Sequence, residues 1–182
     1  VGLVWGKAAT PAPGAAEASP AERGRSEFPW LFTAMLCACT PLLWTLKSSE
    51  FLWTDVAEIV ERRLIATSFT QLGNAIAHGI EGNYYRPTIF VLHSLDFAAF
   101  GESPLAFRAT NLALHLANIA LSYRAMHILG AERQIGTAAV CLFAVHPLAV
   151  TPLEWVSDRT DLVALGSSLA FFLLVERHVA TD

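Results

Sequence analysis

The chain has 182 residues, of which 54% are hydrophobic and 15% are charged, and its formal net charge is −4 at pH 7. Soluble domains carry about 25% charged residues, so this composition favours a membrane protein. Nucleic-acid-binding proteins usually carry a basic patch, and the acidic balance gives no support for such a partner. The cysteines lie within apolar runs, which favours buried packing over metal binding or a disulfide.

The N-terminal part combines a polar tail with a first apolar run. Residues 1–27 are rich in Ala, Pro, Gly and Glu, a composition that predicts a disordered tail on the cytoplasmic side. Residues 28–46 carry no formal charge, and their length suits a first membrane-spanning helix. Because the chain begins with Val1 rather than Met, we expect it to be a fragment of a longer protein.

Residues 47–104 form a long polar and amphipathic loop after this first span. Apolar residues recur at near-helical spacing over 56–64 and again over 69–76, which predicts one or two amphipathic helices lying along the membrane surface. The run 88–100 is apolar but short, and it contains a histidine and an aspartate. We expect it to be a helix packed at the surface rather than a span.

Residues 105–129 form the second predicted span, and their polar side chains follow a regular spacing. These residues are Arg108, Asn111, His115, Asn118 and Ser122. Steps of three and four residues place all of them on one helical face. In lipid such a face is directed to other helices or to a wet cavity. Two interpretations stay open, namely hydrogen bonding between helices and the lining of a substrate cavity.

Two further predicted spans, 134–153 and 158–175, flank a cluster of ionisable residues. Within the third span, His146 and Pro147 form an interruption, because proline frees a backbone carbonyl and histidine can hydrogen-bond or titrate near neutral pH. Ionisable groups at membrane edges are costly to hold in place and often mark a functional site.

The distribution of Lys and Arg predicts the orientation of these spans. It places the N-terminal tail and the turn 130–133 in the cytoplasm. The loops 47–104 and 154–161 then lie together on the outer, periplasmic or lumenal, side. Both loops are acidic, and we expect them to form one site.

Several side chains in these two loops could carry chemistry. Asp55 could act as a general base towards a hydroxyl, or it could cap a helix. Arg86 suits phosphate through its planar fork, and the alternatives are a lipid headgroup or a salt bridge. Glu154, Arg159 and Asp161 could form an internal ion network, or they could bind a charged substrate and a metal.

The order of short motifs along the chain resembles a known family. The motifs are Tyr85-Arg86-Pro87, Leu95-Asp96-Phe97 with Phe100-Gly101, Thr110-Asn111-Leu112 with Leu114-His115, His146-Pro147, and the run from Glu154 to Leu162. Together they resemble the N-terminal membrane region of the polytopic GT-C glycosyltransferases. They are most similar to the transmembrane-and-tetratricopeptide-repeat-containing protein O-mannosyltransferases, over about residues 50–175.

This resemblance implies an all-α polytopic membrane helix bundle with amphipathic surface helices in the first outer loop. It also implies transfer of a sugar from a polyprenyl-phosphate-linked donor to a hydroxyl of a protein or glycan acceptor. Asp55 is then the base, and the donor-phosphate and acceptor site is formed by Arg86, His146, Glu154, Arg159 and Asp161.

The family commonly shows two adjacent acidic residues in the first loop, and Thr54 stands in place of the first of them. A divalent metal cofactor therefore stays open. Two other functions also stay open, namely a non-catalytic membrane scaffold derived from such an enzyme and a transporter.

Overall fold

The computed structural model describes residues 33, 40–47, 50–62, 67–79 and 85–179. In chain order the elements are a 3₁₀ turn Thr40–Lys47, a π turn Val56–Val60, α1 Phe69–His78, α2 Pro87–Phe100, α3 Pro104–Ile128, α4 Arg133–Val145, α5 Pro147–Glu154, a 3₁₀ turn Val156–Asp158 and α6 Arg159–Val179. Every regular element in these ranges is helical, so the predicted all-α class is confirmed for this part of the chain. The predicted tail 1–27 and most of the first predicted span lie outside the described residues.

Local signals in the sequence explain where several helices begin and end. The side chain of Ser103 accepts a hydrogen bond from the backbone N–H of Ala106 at 3.4 Å. Pro104 follows as the first helical residue of α3, where its missing N–H costs nothing. Helix α2 ends at Gly101, whose φ of 64° is a conformation that favours glycine. The predicted elements 88–100 and 105–129 therefore match α2 and α3 closely.

The third predicted span is two helices rather than one. Helices α4 and α5 meet at an angle of 44°, with the backbone of His146 extended between them. Pro147 has no N–H to donate to the carbonyl of Phe143. That carbonyl accepts a hydrogen bond from the N–H of His146 instead, at 3.2 Å, and the chain bends there.

One helix in the described ranges, Val156–Val179, is long and apolar enough to cross a membrane, and α4 with α5 gives a second if the bent pair counts as one span. Helix α3 is long enough, with 25 residues, but its polar stripe lowers its apolar character. The number of spans and their orientation stay predictions.

Helix α3 is the centre of the packing. It contacts α2, α4, α5 and α6, and each of three apolar clusters contains one of its residues, namely Phe107, Leu112 or Ile119. Phe107 is fully buried. Its ring packs edge-to-face against Phe97, with the ring centroids 5.2 Å apart. Burial of apolar area therefore holds the shorter elements around α3.

Helices α3 and α6 approach each other closely at Gly166. A Cβ atom added there would lie 2.7 Å from Oδ1 of Asn118. The Nδ2 atom of Asn118 donates to the carbonyl of Leu162 at 2.9 Å. A small residue at this position is what lets the two backbones come together, as is common between helices in membranes.

We therefore expect Gly166→Ala to lower the free energy of unfolding by about 1–3 kcal/mol, because the added methyl group must displace Asn118. Thermal unfolding in detergent micelles measures the effect. The matched control is Gly73→Ala on α1, where no heavy atom lies within 4 Å of an added Cβ. We expect this control to be neutral or to stabilise helix α1. Equal stability of Gly166→Ala and the unmodified protein would contradict the close approach.

Candidate functional site

The carboxylate of Asp55 joins the first loop to the segment between α5 and α6. It accepts hydrogen bonds from the backbone N–H groups of Leu52 at 3.2 Å, Val156 at 3.2 Å and Ser157 at 2.7 Å. The residue is fully buried. We call this arrangement the Asp55 clamp. Hydrogen bonds to a charged acceptor are stronger than those between neutral groups. The clamp brings part of the first loop into contact with the segment 156–157, which the predicted shared side of the two loops requires.

Side chains next to Asp55 extend the contact between the loops. The indole N–H of Trp155 donates to Oγ1 of Thr54 at 3.0 Å, so the residue that replaces the expected first acid has a structural partner. Trp53 packs edge-to-face on Trp155 with ring centroids 5.3 Å apart. It has a φ of 47°, a strained value for a non-glycine residue. Such strain persists only where the surroundings enforce it.

The polar stripe of α3 hydrogen-bonds backbone carbonyls of other elements. Nδ2 of Asn111 donates to Pro152 at 2.6 Å, Nε of Arg108 donates to Glu154 at 3.3 Å, and Nε2 of His115 lies 3.0 Å from the carbonyl oxygen of Ala144. Each of these carbonyls lies in the last turn of α4 or α5, where helical N–H partners run out. Four of the five stripe residues therefore hydrogen-bond other elements, as the first interpretation predicts, and one of them, His115, also lines a cavity.

Arg159 lies at the centre of a buried ion network. Its Nη2 atom is 2.6 Å from Oδ2 of Asp96 and donates to the carbonyl of Phe107 at 3.1 Å, and its Nε atom donates to Oδ1 of Asn111. Oγ1 of Thr110 donates to the other oxygen of Asp96 at 3.0 Å. Arg159 is fully buried, and removing one partner of such a pair leaves an uncompensated charge. Arg159 therefore holds α2, α3 and α6 together.

His93 on α2 is buried beside this network. Burial, together with the positive charges of Arg159 and Arg86, lowers the pKa of His93 from 6.5 to about 3. Its Nε2 atom has no hydrogen-bond partner. His93 is therefore neutral in the folded protein at physiological pH.

Arg86 reaches from the start of α2 to the start of α6. Its Nη1 atom donates to Oγ1 of Thr160 at 3.4 Å and lies 3.8 Å from Oε2 of Glu58. The Arg86 side chain is 25% exposed, so it is partly accessible to solvent. We call Arg86, Glu58 and Thr160 the Arg86 site.

His146 and Asp161 belong to a different place, a cavity of about 300 Å³ at the bend between α4 and α5. Its wall is formed by His115, Phe143, His146, Leu148, Ala149, Pro152, Asp161, Leu162 and Leu165. Both His146 and Asp161 are exposed, and Nδ1 of His146 accepts the N–H of Leu148 at 3.3 Å. A carboxylate beside apolar walls suits a ligand with hydroxyl donors better than a phosphate.

The six residues predicted from the sequence therefore fall into three environments. Asp55 and Arg159 are buried, Arg86 is partly exposed, and His146, Glu154 and Asp161 are exposed. The sequence interpretation missed Glu58 and Asp96 as partners of the two arginines. A carboxylate inside an apolar helix is a signal that could have found Asp96, because a buried charge requires a partner.

A metal centre has no visible ligand set in the part of the chain that the structure describes. No group of three or more His, Cys, Asp and Glu side chains there could hold a metal ion. The use of a divalent metal by the whole protein stays open.

Comparison with known proteins finds similar sequences that carry the name protein O-mannosyl-transferase. The chain is 27% identical over 141 residues to TMTC1 of Mus musculus, which covers 77% of this chain and 13% of that protein. It is 28% identical over 108 residues to TMTC1 of Homo sapiens, covering 59% and 12%. The Tmtc1 protein of Drosophila melanogaster is 29% identical over 110 residues, covering 60% and 12%. These matches confirm the resemblance predicted from the motifs, and the chain spans only a small part of these relatives.

Neither a family model nor a solved structure matches the chain.

We expect Asp55→Asn to release the first loop from the segment 155–157. The substitution removes the negative charge and replaces one of the two acceptor oxygens with an NH2 group, which cannot accept a hydrogen bond from a backbone N–H. The cost is about 3 kcal/mol. Amide hydrogen exchange at Val156 and Ser157 should therefore become faster by about two orders of magnitude. Asp161→Asn is the control. Asp161 is exposed, and its substitution removes the same charge. Unchanged protection in Asp55→Asn would show that the clamp does not hold the loops together.

His93 predicts how stability depends on pH. Its pKa is lower in the folded protein than in the unfolded chain, so its contribution to stability is complete above pH 6.5 and is lost as the pH falls towards 3. From about pH 6.5 to about pH 5 the unmodified protein should lose about 2 kcal/mol more than His93→Gln. Denaturant unfolding of both proteins across this range measures the difference. Parallel pH profiles would contradict a neutral, buried His93.

Proposed function

Because the chain resembles protein O-mannosyltransferases, we propose that it forms part of a membrane mannosyltransferase of the GT-C type. The sugar comes from a polyprenyl-phosphate-linked donor, and the acceptor is a hydroxyl of a protein or glycan. The observation that carries this proposal is the Asp55 clamp, because it brings the first loop against the start of α6. The Arg86 site lies across the same contact, because Glu58 belongs to the first loop and Thr160 to α6.

Arg86 is the group that we propose for the donor phosphate. Its side chain is partly exposed and its guanidinium group lies beside Thr160, close to the start of the helix that is apolar and long enough to cross a membrane. A planar fork of N–H donors matches the oxygens of a phosphate. A lipid-linked phosphate lies at the membrane edge, and this position meets that requirement.

The remaining predicted site residues take different parts in this proposal. Glu154, His146 and Asp161 are exposed and can meet a substrate directly. Arg159 acts as a positioning residue, because its charge is already paired with Asp96. Asp55 as the base stays a prediction, and that role requires the fully buried carboxylate to become accessible to the acceptor hydroxyl.

The topology proposed for the whole protein is polytopic, with loops 47–104 and 154–161 on the outer side. The contact between these loops supports this arrangement. The transporter alternative is less well supported, since the stripe on α3 is engaged with backbone carbonyls rather than directed into an open path. A scaffold without activity is an outcome that the following experiment can reveal.

We expect Arg86→Gln in the full-length protein to reduce mannose transfer from polyprenyl-phosphate mannose by about 10²-fold or more, because a charged donor to the phosphate is removed. Arg86→Lys keeps the charge but not the fork, so its activity should be intermediate. Arg124→Gln is the control, since Arg124 is exposed at the far end of α3. Unchanged transfer in Arg86→Gln would contradict the proposal. Absence of transfer by the unmodified protein would contradict it as well.

A further inference from the structure

We propose that Glu58 is an internal competitor for Arg86, which the donor phosphate must displace before it can bind. This inference rests on the proposed function, since it concerns the regulation of the same site. It assigns a role to a residue that lies one turn after Asp55 and that neither the motifs nor the resemblance single out.

The contact between Glu58 and Arg86 is of the kind that a ligand can replace. Oε2 of Glu58 lies 3.8 Å from Nη1 of Arg86, and the two side chains are 21% and 25% exposed. This distance is longer than a hydrogen bond. A partly exposed pair of this kind contributes only about 0.2–1 kcal/mol. A phosphate that forms a bidentate pair with the guanidinium group forms stronger bonds than Glu58 does.

The backbone below Glu58 is fixed, so displacement requires a movement of the side chain alone. Ile59, the next residue, is almost completely buried and packs with Phe97, Phe107 and Val156. On the other side, the Asp55 clamp fixes the chain just before the π turn. A glutamate side chain is flexible, and it can therefore rotate away from Arg86 while the π turn stays in place.

The charges around Arg86 explain why displacement is necessary. The carboxylate of Asp158 also lies close enough to interact electrostatically with Arg86. The guanidinium group of Arg86 therefore interacts with two carboxylates, those of Glu58 and Asp158. Each of these carboxylates repels an incoming anion. Movement of Glu58 away from the guanidinium group removes one competing acceptor and weakens that repulsion.

The test measures binding of geranyl phosphate to the full-length protein in phosphatidylcholine nanodiscs by calorimetry. Glu58→Gln should bind this prenyl phosphate about two- to five-fold more tightly than the unmodified protein, the range that corresponds to the strength of the lost ion pair. Glu58→Asp keeps the charge but shortens the reach, and it should also bind more tightly. Glu61→Gln is the matched control. Glu61 is exposed, and its substitution removes the same charge from the same segment.

The pairing itself is tested in a background without the guanidinium group. In Arg86→Gln, the further change Glu58→Gln should have no effect on binding, because there is nothing left to compete for. Equal or weaker binding by Glu58→Gln, or an equal gain in Glu61→Gln, would overturn the competitor role. If Arg86→Gln binds geranyl phosphate as well as the unmodified protein does, the proposed phosphate site itself fails, and the two failures are thereby distinguished.

Discussion

Backbone groups left free at two breaks in the chain impose the main constraint on this structure. The extended residues at His146 and Trp155 end α4 and α5, and the carbonyls before each break lose their helical donors. In apolar surroundings an unpaired backbone group costs several kcal/mol. Side chains from other elements must therefore supply the missing partners, and these side chains determine how the elements pack.

Two opposite kinds of side chain meet this need. The stripe on α3 consists mainly of hydrogen-bond donors and binds carbonyls at the C-terminal ends of α4 and α5. Asp55 is an acceptor and binds the N–H groups that begin the next turn, at Val156 and Ser157. At the break that follows α5, side chains of α3 donate to the free carbonyls, and Asp55 accepts from the free N–H groups. The proposed phosphate site owes its position to this pairing, since Arg86 and Thr160 meet next to it.

Much of the local structure could be predicted from the sequence, because its signals are local. Ser103 and Pro104 mark the start of α3, Gly101 marks the end of α2, and the spacing of three and four residues places the stripe on one face. The shared side of the two loops stays a prediction from the positions of Lys and Arg. These features depend on residues a few positions apart.

The arrangement of the site depends on contacts between distant residues, and spacing carries no information about those. Asp55 bonds to residues about a hundred positions later, so its burial could not be read from its neighbours. Arg159 and Asp161 are two residues apart, but helical geometry turns them to different sides. One enters the ion network with Asp96, and the other lines the cavity beside His146.

The one-to-one matching between the stripe and its carbonyls also limits how the protein can move. A slip of α3 by one residue would turn its side chains by about 100° and would separate all of these donors from their acceptors at once. Sliding or rotation of α3 is therefore an all-or-none event with a high barrier. A movement that admits a substrate without breaking this register can come from side chains such as Glu58, around a helix that stays in place.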